Sequence, residues 1–172
     1  MWVFHGRSNS NKQEHILFAP FRNDAEKERL LSTIKLYTVI HEIDEYVIAS
    51  EAWMRTAVDP NERNLGKVSE HPDRQECLIL LHVKREGERR LSQGRFYYMR
   101  RDDKGNLTKL EPLREGMGVG GDMTELIPPV TPPKEVRAKV QEIWDLGRRL
   151  NHIPDLKPIL HSIKGGKDPT FH

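Results

Sequence analysis

The chain has 172 residues, of which 36% are hydrophobic and 31% are charged, and it contains one Cys. This length suits a single domain with a substantial core, and the composition excludes the collagen-like, disulfide-rich and membrane-spanning classes of protein. With 28 Lys and Arg against 26 Asp and Glu, the net charge of +2 excludes no class of partner.

The first part of the chain predicts an arm followed by a helix. Residues 1–15 are rich in Ser, Asn and His and predict a flexible arm. Asn23 and Glu26 have the spacing of a capping box, and apolar residues follow them at helical intervals. These signals predict an amphipathic helix from about Asp24 to His41.

Strand character dominates the middle of the chain. Four segments are rich in β-branched, aromatic and other apolar residues, which favours strands at residues 46–54, 75–84, 94–101 and 107–110. The segment 55–74 between the first two strands has poor periodicity. A loop of that length in a compact domain is either functional or mobile.

Glycine and proline dominate the segment after the strands. Residues 114–133 contain four glycines within 115–122 and four prolines within 128–133, and they are predicted to form a linker or surface loop. The stretch Gly116–Gly121 has the glycine spacing of a dinucleotide-binding turn. Such a site needs a strand before it and a helix after it, and the sequence predicts neither. We therefore expect no cofactor.

Two helices are predicted near the C-terminal end. Thr131 is predicted to cap the first helix, with Pro132 at its first position, where the missing N–H has no cost. An apolar stripe from Val136 to Leu150 predicts that this helix faces the core. A shorter helix is predicted around residues 156–163.

The order of these elements indicates an α+β fold, because strands are grouped together and helices are grouped together. We predict a helix packed on a three- to four-stranded antiparallel sheet, with two C-terminal helices after the linker. The boundaries are a core domain over residues 16–113, C-terminal helices packing on the core over 134–164 and a tail over 165–172. Double-stranded-RNA-binding domains share a helix-strand-strand-strand-helix order, but their basic helix start is missing from this sequence.

The sequence carries no signal for secretion or for a membrane span. The N-terminus lacks the basic start and apolar stretch of a secretory signal, and the longest nearly unbroken apolar run, Cys77–Val83, is far shorter than the roughly 20 residues of a membrane helix. We therefore expect a cytoplasmic protein with no membrane partner. Cys77 has no second cysteine to pair with, and its apolar neighbours predict a buried free thiol.

One candidate site lies where two predicted strands meet the long loop. If strands 46–54 and 75–84 are neighbours, they gather three carboxylates and a histidine: Glu51, His71, Asp73 and Glu76. Such groups within reach of one another bind a divalent metal or perform acid–base chemistry. The alternative is a structural network in which Arg55 or Arg74 pairs with the carboxylates. The spacing matches no metal signature, so no metal is assigned.

A second candidate site is a basic hairpin. From Lys84 to Arg101 there are seven basic residues and two acids, a local charge of +5, whereas residues 24–51 carry seven acids and three basic residues. Basic side chains interleaved with aromatics follow a phosphate backbone and stack on bases. The candidate nucleic-acid-binding residues are Lys84, Arg85, Arg89, Arg90, Arg95, Tyr97, Arg100 and Arg101. The alternative is the ordinary basic surface of exposed strands, complemented by the acidic helix.

Two short segments carry a resemblance. A strand that ends in Ser50-Glu51-Ala52-Trp53 and a turn with the sequence His71-Pro72-Asp73-Arg74 together resemble a pattern in small bacterial and bacteriophage proteins of no established activity. The resemblance covers roughly residues 24–100. It implies a helix followed by a sheet, and it implies no function.

Three functions follow from these patterns as hypotheses. The leading one is a non-enzymatic accessory protein that binds a macromolecule, with nucleic acid on the basic hairpin as its suggested form. The second is a metal-dependent hydrolase or nuclease that uses the Glu51, His71, Asp73 and Glu76 cluster. The third is a dimerisation or adaptor protein that uses the C-terminal helices, which allows a homodimer or another protein partner.

Overall fold

An antiparallel sheet with a helix across one face forms the centre of the computed structural model, which describes residues 1–54, 68–113, 122–150 and 159–162. In chain order the elements are β1 (Trp2–Ser8), β2 (Gln13–Ala19), α1 (Asp24–Ile40), β3 (Glu45–Met54), a 3-10 turn (Val68–Glu70), β4 (Gln75–Glu86), β5 (Arg89–Arg101), β6 (Leu107–Pro112), a second 3-10 turn (Asp122–Thr124), α2 (Lys134–Arg149) and β7 (Ile159–Ser162). The spatial order of the strands is β6-β5-β4-β3-β1-β2-β7. The α+β class is confirmed, but the sheet has seven strands rather than three or four.

Helix α1 begins where the capping signal predicts. The side chain of Asn23 accepts a hydrogen bond from the Glu26 N–H at 2.9 Å, and the Glu26 carboxylate accepts one from the Arg22 N–H at 2.7 Å. These bonds satisfy donors that the first turn of a helix leaves free.

Among the residues that the structure describes, no helix combines the length and the apolar character that a membrane span requires.

The four predicted strands are confirmed as β3 to β6, with longer bounds for β4 and β5. β4 and β5 form a long hairpin that turns at Gly87, whose φ of 60° is a conformation that glycine adopts without steric cost. The next turn is closed by Asp102, whose carboxylate accepts hydrogen bonds from the backbone N–H groups of Lys104 and Asn106.

The two faces of the sheet have different surroundings, because successive side chains of a strand point to opposite faces. One face packs against α1, and the core there contains Trp2, Phe4, Leu17, Tyr46, Ile48, Leu81 and Val83. The other face, called the open face, is formed by the odd-numbered residues of β1, β3 and β5 and the even-numbered residues of β2, β4 and β6. Neither described helix covers it, since α1 lies on the core side and α2 packs on α1.

The prediction of a flexible arm over residues 1–15 is wrong. β1 lies in the middle of the sheet between β2 and β3, and Trp2 and Phe4 are fully buried. The many polar residues of this segment sit on the alternate positions and in the turn, so composition concealed a period of two. Gly6 belongs to the same pattern: a Cβ there would lie 2.6 Å from the Phe4 ring, so only glycine fits beside it.

The predicted linker or surface loop over residues 114–133 is described from residue 122 on, and that part packs into the core rather than lying on the surface; residues 114–121 lie outside the described residues. Leu126 and Ile127 are fully buried in the core. The Thr38 hydroxyl donates to the Leu126 carbonyl at 2.6 Å, and the Tyr46 hydroxyl donates to the Met123 carbonyl. Residues 122–133, called the closing segment, therefore pack against the core through Leu126 and Ile127 and do not form a spacer.

The predicted pair of C-terminal helices is also corrected. α2 has Pro133 at its N-cap with no side-chain capping bond, so Thr131 is not the cap. No residue of α2 is buried, and the expected core-facing stripe is largely exposed. In place of a second helix, the described part of the segment is β7, which pairs with β2. The predicted tail, residues 165–172, lies outside the described residues.

Candidate binding face

The predicted cluster of carboxylates is closed by an arginine from β5. The β3–β4 register places Trp53 opposite Glu76, which confirms that these strands are neighbours. The Arg101 guanidinium donates two hydrogen bonds to the Glu76 carboxylate, from Nε at 2.6 Å and Nη2 at 3.1 Å, and its Nη2 lies 3.9 Å from Glu51. These bonds lower the pKa of Glu76. An ionised carboxylate held in this way is not a general acid.

The other two members of the cluster form a turn. The His71 Nδ1 accepts a hydrogen bond from the Asp73 N–H at 3.1 Å, while the Asp73 carboxylate is 3.8 Å away and mostly exposed. The Arg74 N–H and side chain both donate to the His71 carbonyl. Within residues 1–54, 68–113 and 122–150, no three His, Cys, Asp or Glu side chains are placed to share a metal ion. Arg74 contacts the His71 carbonyl and the Trp53 ring rather than a carboxylate, and Arg55 lies outside the described residues.

Most of the basic hairpin is engaged in contacts within the chain. Arg85 donates to the Pro128 carbonyl and Arg90 to the Ile127 carbonyl, each at 3.3 Å, so both hold the closing segment 122–133. Three others pair with acids: Lys84 with Glu86, Arg100 with Glu111 and Arg101 with Glu76. The hairpin therefore does not present all of its predicted positive charge to a ligand.

Arg89 and Arg95 differ from the other basic residues of the hairpin. Both are exposed, and neither has a hydrogen-bonding or ion-pair partner among the described residues. Both are odd-numbered residues of β5, so they lie on the open face. Tyr97 follows Arg95 on this face at the next position but one, about 7 Å further along the strand.

The open face carries an apolar and aromatic surface around Arg95 and Tyr97. The register aligns Phe18, Val3, Ala49, Leu80 and Arg95 in one row across five strands. Phe18 is 49% exposed at one end of the row. In a second row, Tyr97 lies opposite Leu78, and the Tyr97 side chain is half-buried. Apolar side chains grouped at a surface mark interaction sites, so the face is a candidate interface.

Trp53 provides an exposed aromatic ring at the far end of the face. It is 46% exposed, and the Arg74 guanidinium lies 4.8 Å from its ring centroid. This is the geometry of a cation–π contact. An indole ring and a guanidinium plane that are stacked at the surface form a platform for another flat, electron-rich group.

The acids of the open face have partners close to them. Their pairs are Glu14 with His5 at 3.6 Å, Glu45 with His82 at 2.8 Å, Glu86 with Lys84 at 3.1 Å, and Glu51 and Glu76 with Arg101. Arg95 lies apart from these pairs, among apolar neighbours. Arg89 and Arg95 are therefore cations of this face whose side chains have no acidic partner among the described residues.

A buried polar cluster lies beneath α1, on the core side of the sheet. His15 is fully buried, and its Nδ1 lies 2.9 Å from the Tyr37 hydroxyl, while the His41 ring packs 4.1 Å from the Tyr37 ring. Burial, with smaller contributions from His41 and His5, lowers the pKa of His15 to about 4. Burial also raises the pKa of Tyr37 to about 12 and lowers that of His41. The cluster is neutral at pH 7 and far from the open face.

Cys77 is buried on the core side of β4, as its apolar neighbours predict. Burial raises the pKa of its thiol. A protonated and inaccessible thiol is not a nucleophile.

Sequence patterns identified only part of this face. Arg95 and Tyr97 were among the predicted nucleic-acid-binding residues, and Trp53 lay in the segment of the resemblance. Val3 was missed because residues 1–15, which contain β1, were predicted as an arm, and Phe18 on β2 was not among the candidate residues. The strict alternation of Trp2, Phe4 and Gly6 with polar or smaller residues was the signal that identifies the strand.

Comparisons of the chain with protein-family models, with curated proteins and with solved structures give no match, so its function is argued from the geometry alone.

Proposed function

We propose that the chain is a non-enzymatic binding protein that holds single-stranded nucleic acid on the open face of its sheet. The observation that carries the proposal is the pairing of Arg95 and Tyr97 at neighbouring positions on this face, with Arg95 exposed and without a partner among the described residues. The proposal keeps Arg89, Arg95 and Tyr97 of the predicted hairpin and adds side chains of the other strands. The binding residues are those of the open face rather than the whole hairpin.

Stacking supports a single strand as the ligand. Unpaired bases stack on aromatic side chains at the surface of a sheet, and each such stack contributes roughly 1–3 kcal/mol. Tyr97, Trp53 and Phe18 offer rings on one face of the sheet, and Leu78 provides an apolar floor beside Tyr97. Because a duplex keeps its bases stacked within the helix, it has no free base for these rings.

Charge supports the phosphate part of the same ligand. Arg95 and Arg89 lie on β5 within the open face, and Arg74 covers the ring of Trp53 at its far end. A strand that crosses β5 therefore meets a guanidinium next to an aromatic ring. Each phosphate contact contributes a salt-dependent term to the affinity.

The hydrolase alternative is less well supported by the described geometry. Glu76 is engaged by Arg101, whereas Asp73 donates only its backbone N–H to His71 and leaves its carboxylate largely exposed. A catalytic pair of carboxylates needs two sets of free oxygens within reach of a substrate or a metal. The ion pairs of Glu76 and Glu51 with Arg101 leave no such pair among the described residues of the cluster.

Fluorescence anisotropy with labelled oligonucleotides tests the proposal. The probes are single-stranded DNA and RNA of mixed sequence and the matching DNA duplex, titrated with full-length protein over a salt series. We expect single strands to bind more tightly than the duplex, with Tyr97→Ala weakening binding by roughly 5- to 150-fold. Arg95→Ala should reduce the slope of log affinity against log salt by about 0.7.

Arg100→Ala is the matched control. Arg100 belongs to the same basic hairpin but lies on the other side of β5, where it pairs with Glu111. If Arg100→Ala weakens binding as much as Arg95→Ala does, the hairpin rather than the open face is the site. If no oligonucleotide binds at low salt, where the phosphate contribution is greatest, nucleic acid is not the ligand.

A further inference from the structure

Helix α2 has two apolar sides, and only one of them is packed. On the packed side, the Trp144 ring lies 5.8 Å from the Tyr37 ring, and Arg137 forms an ion pair with Glu42 at the end of α1. The unpacked side, called the α2 stripe, consists of Val136, Ile143, Leu146 and Leu150. Their exposed fractions are 46%, 56%, 50% and 54%.

This exposure is unusual for an amphipathic helix on a folded domain. Single exposed apolar side chains are common, whereas four on one side of a helix mark an interaction surface. The exposed Lys139 interrupts the stripe between Val136 and Ile143. α1 is the main described element that packs on α2, and it lies on the other side of the helix.

The stripe is complementary to itself. Val136, Ile143 and Leu150 are spaced seven residues apart, which places them on one line along the helix, as in the seam of a coiled coil. Ile143 is at the centre of this line. If a second copy of α2 packs antiparallel across it, Ile143 meets its own copy, and Val136 meets Leu150 of the partner. A two-fold interface requires this property, since the same patch must serve both subunits.

Charge at the ends of the helix agrees with the antiparallel arrangement. Glu135 in the first turn and Arg149 in the last turn border the stripe on the same side. In the antiparallel pair, Glu135 of one copy lies beside Arg149 of the other, once at each end of the seam. The opposed helix dipoles add to the attraction. In a parallel pair, Glu135 and Arg149 would lie at opposite ends of the seam and could not meet.

We infer that two copies of this chain associate through the α2 stripe as an antiparallel, two-fold homodimer. Because α1 lies between α2 and the sheet, the dimer leaves the open face of each copy uncovered. The inference is independent of the ligand proposed for that face. Four side chains per copy form a smaller contact than that of permanent dimers, so we expect a reversible dimer with a dissociation constant of roughly micromolar magnitude.

Sedimentation velocity of the full-length protein over a concentration series tests the inference. We expect the average mass to rise from that of the 20.0 kDa chain towards that of the dimer as concentration increases. Ile143→Glu should abolish the rise. The matched control is Ala138→Glu, which adds the same charge to an exposed position of α2 on the opposite side from the stripe. A monomer at all concentrations, or equal effects of the two variants, would overturn the inference.

Reversal of the end charges tests the orientation. Glu135→Arg and Arg149→Glu should each weaken the dimer, since each places like charges together at both ends of the seam. The double variant Glu135→Arg with Arg149→Glu should restore association to within a few-fold of the unmodified chain. If the double variant is weaker than both single variants, the antiparallel seam is wrong. Circular dichroism of each variant checks that α2 remains folded.

Discussion

Arg101 on β5 donates to both carboxylate oxygens of Glu76 on β4. Glu76 belongs to the cluster of Glu51, His71, Asp73 and Glu76 that the sequence predicts as a site. The same guanidinium lies 3.9 Å from Glu51 on β3. One side chain therefore ties together three neighbouring strands at the far end of the open face. The Glu51 side chain is 55% exposed, so its charge on β3 is solvated as well as close to Arg101.

The Arg101–Glu76 contact predicts a specific change in carboxyl titration. Hydrogen bonding by Arg101 lowers the pKa of Glu76, so Arg101→Gln should raise that pKa towards the ordinary value of 4.5. Carboxyl carbon chemical shifts followed by NMR over pH measure it. Arg100→Gln is the control, because it removes a guanidinium that is paired with Glu111 instead. An unchanged Glu76 titration in Arg101→Gln would contradict the assignment.

Local patterns predicted the elements whose partners are close in sequence. The Asn23 and Glu26 spacing located the start of α1, and the apolar content of residues 75–84 located β4. β1 was missed although its partner β2 follows it directly, because the polar residues of the segment concealed its alternation. β7 pairs with β2 across most of the chain, so no local pattern indicates it.

The cluster around Glu51 and Glu76 was also predicted only in part. The neighbouring positions of β3 and β4 were expected, so Glu51 and Glu76 were correctly placed close together. Their partner Arg101 was predicted as a nucleic-acid-binding residue instead, because the sequence does not show the β4–β5 register that brings it beside Glu76. Likewise, the apolar periodicity of α2 shows that one side is apolar but does not show what covers it.

The buried position of Leu126 predicts a large loss of stability on truncation. Because the side chain is fully buried, Leu126→Ala should lower the free energy of unfolding by about 2–5 kcal/mol. Urea denaturation followed by circular dichroism measures the change. Val130→Ala is the control in the same segment, since Val130 is exposed and should cost no more than about 0.5 kcal/mol. If the two variants lower the free energy of unfolding equally, Leu126 does not pack in the core.

The buried His15 predicts a loss of stability in acid. The unfolded chain binds a proton at this imidazole with a pKa of 6.5 and the folded chain only near 4, so the unfolded state carries more protons between these values. The free energy of unfolding should therefore fall as the pH drops from 7 to 4, by on the order of 1–3 kcal/mol. The lowered pKa of His41 acts in the same direction.

Two variants separate His15 from other causes of acid sensitivity. His15→Gln should flatten the dependence of the urea midpoint on pH between 7 and 4. Tyr37→Phe removes the hydroxyl beside Nδ1 but keeps the imidazole buried, so it should retain the slope, because burial is the main cause of the shift. A slope that persists unchanged in His15→Gln would assign the acid sensitivity to other groups.

The exposure of Trp53 makes it a fluorescent reporter of the open face. Of the three tryptophans, Trp2 is fully buried, Trp144 packs beside Tyr37, and Trp53 is 46% exposed with Arg74 on its ring. A base that stacks at this end of the face should quench the emission of Trp53. Single-stranded oligonucleotide should therefore reduce the fluorescence of the unmodified chain, and Trp53→Phe should remove most of that reduction. Trp144→Phe, on the far side of α1, should leave it in place; the reverse result would move the binding surface from the sheet to α2.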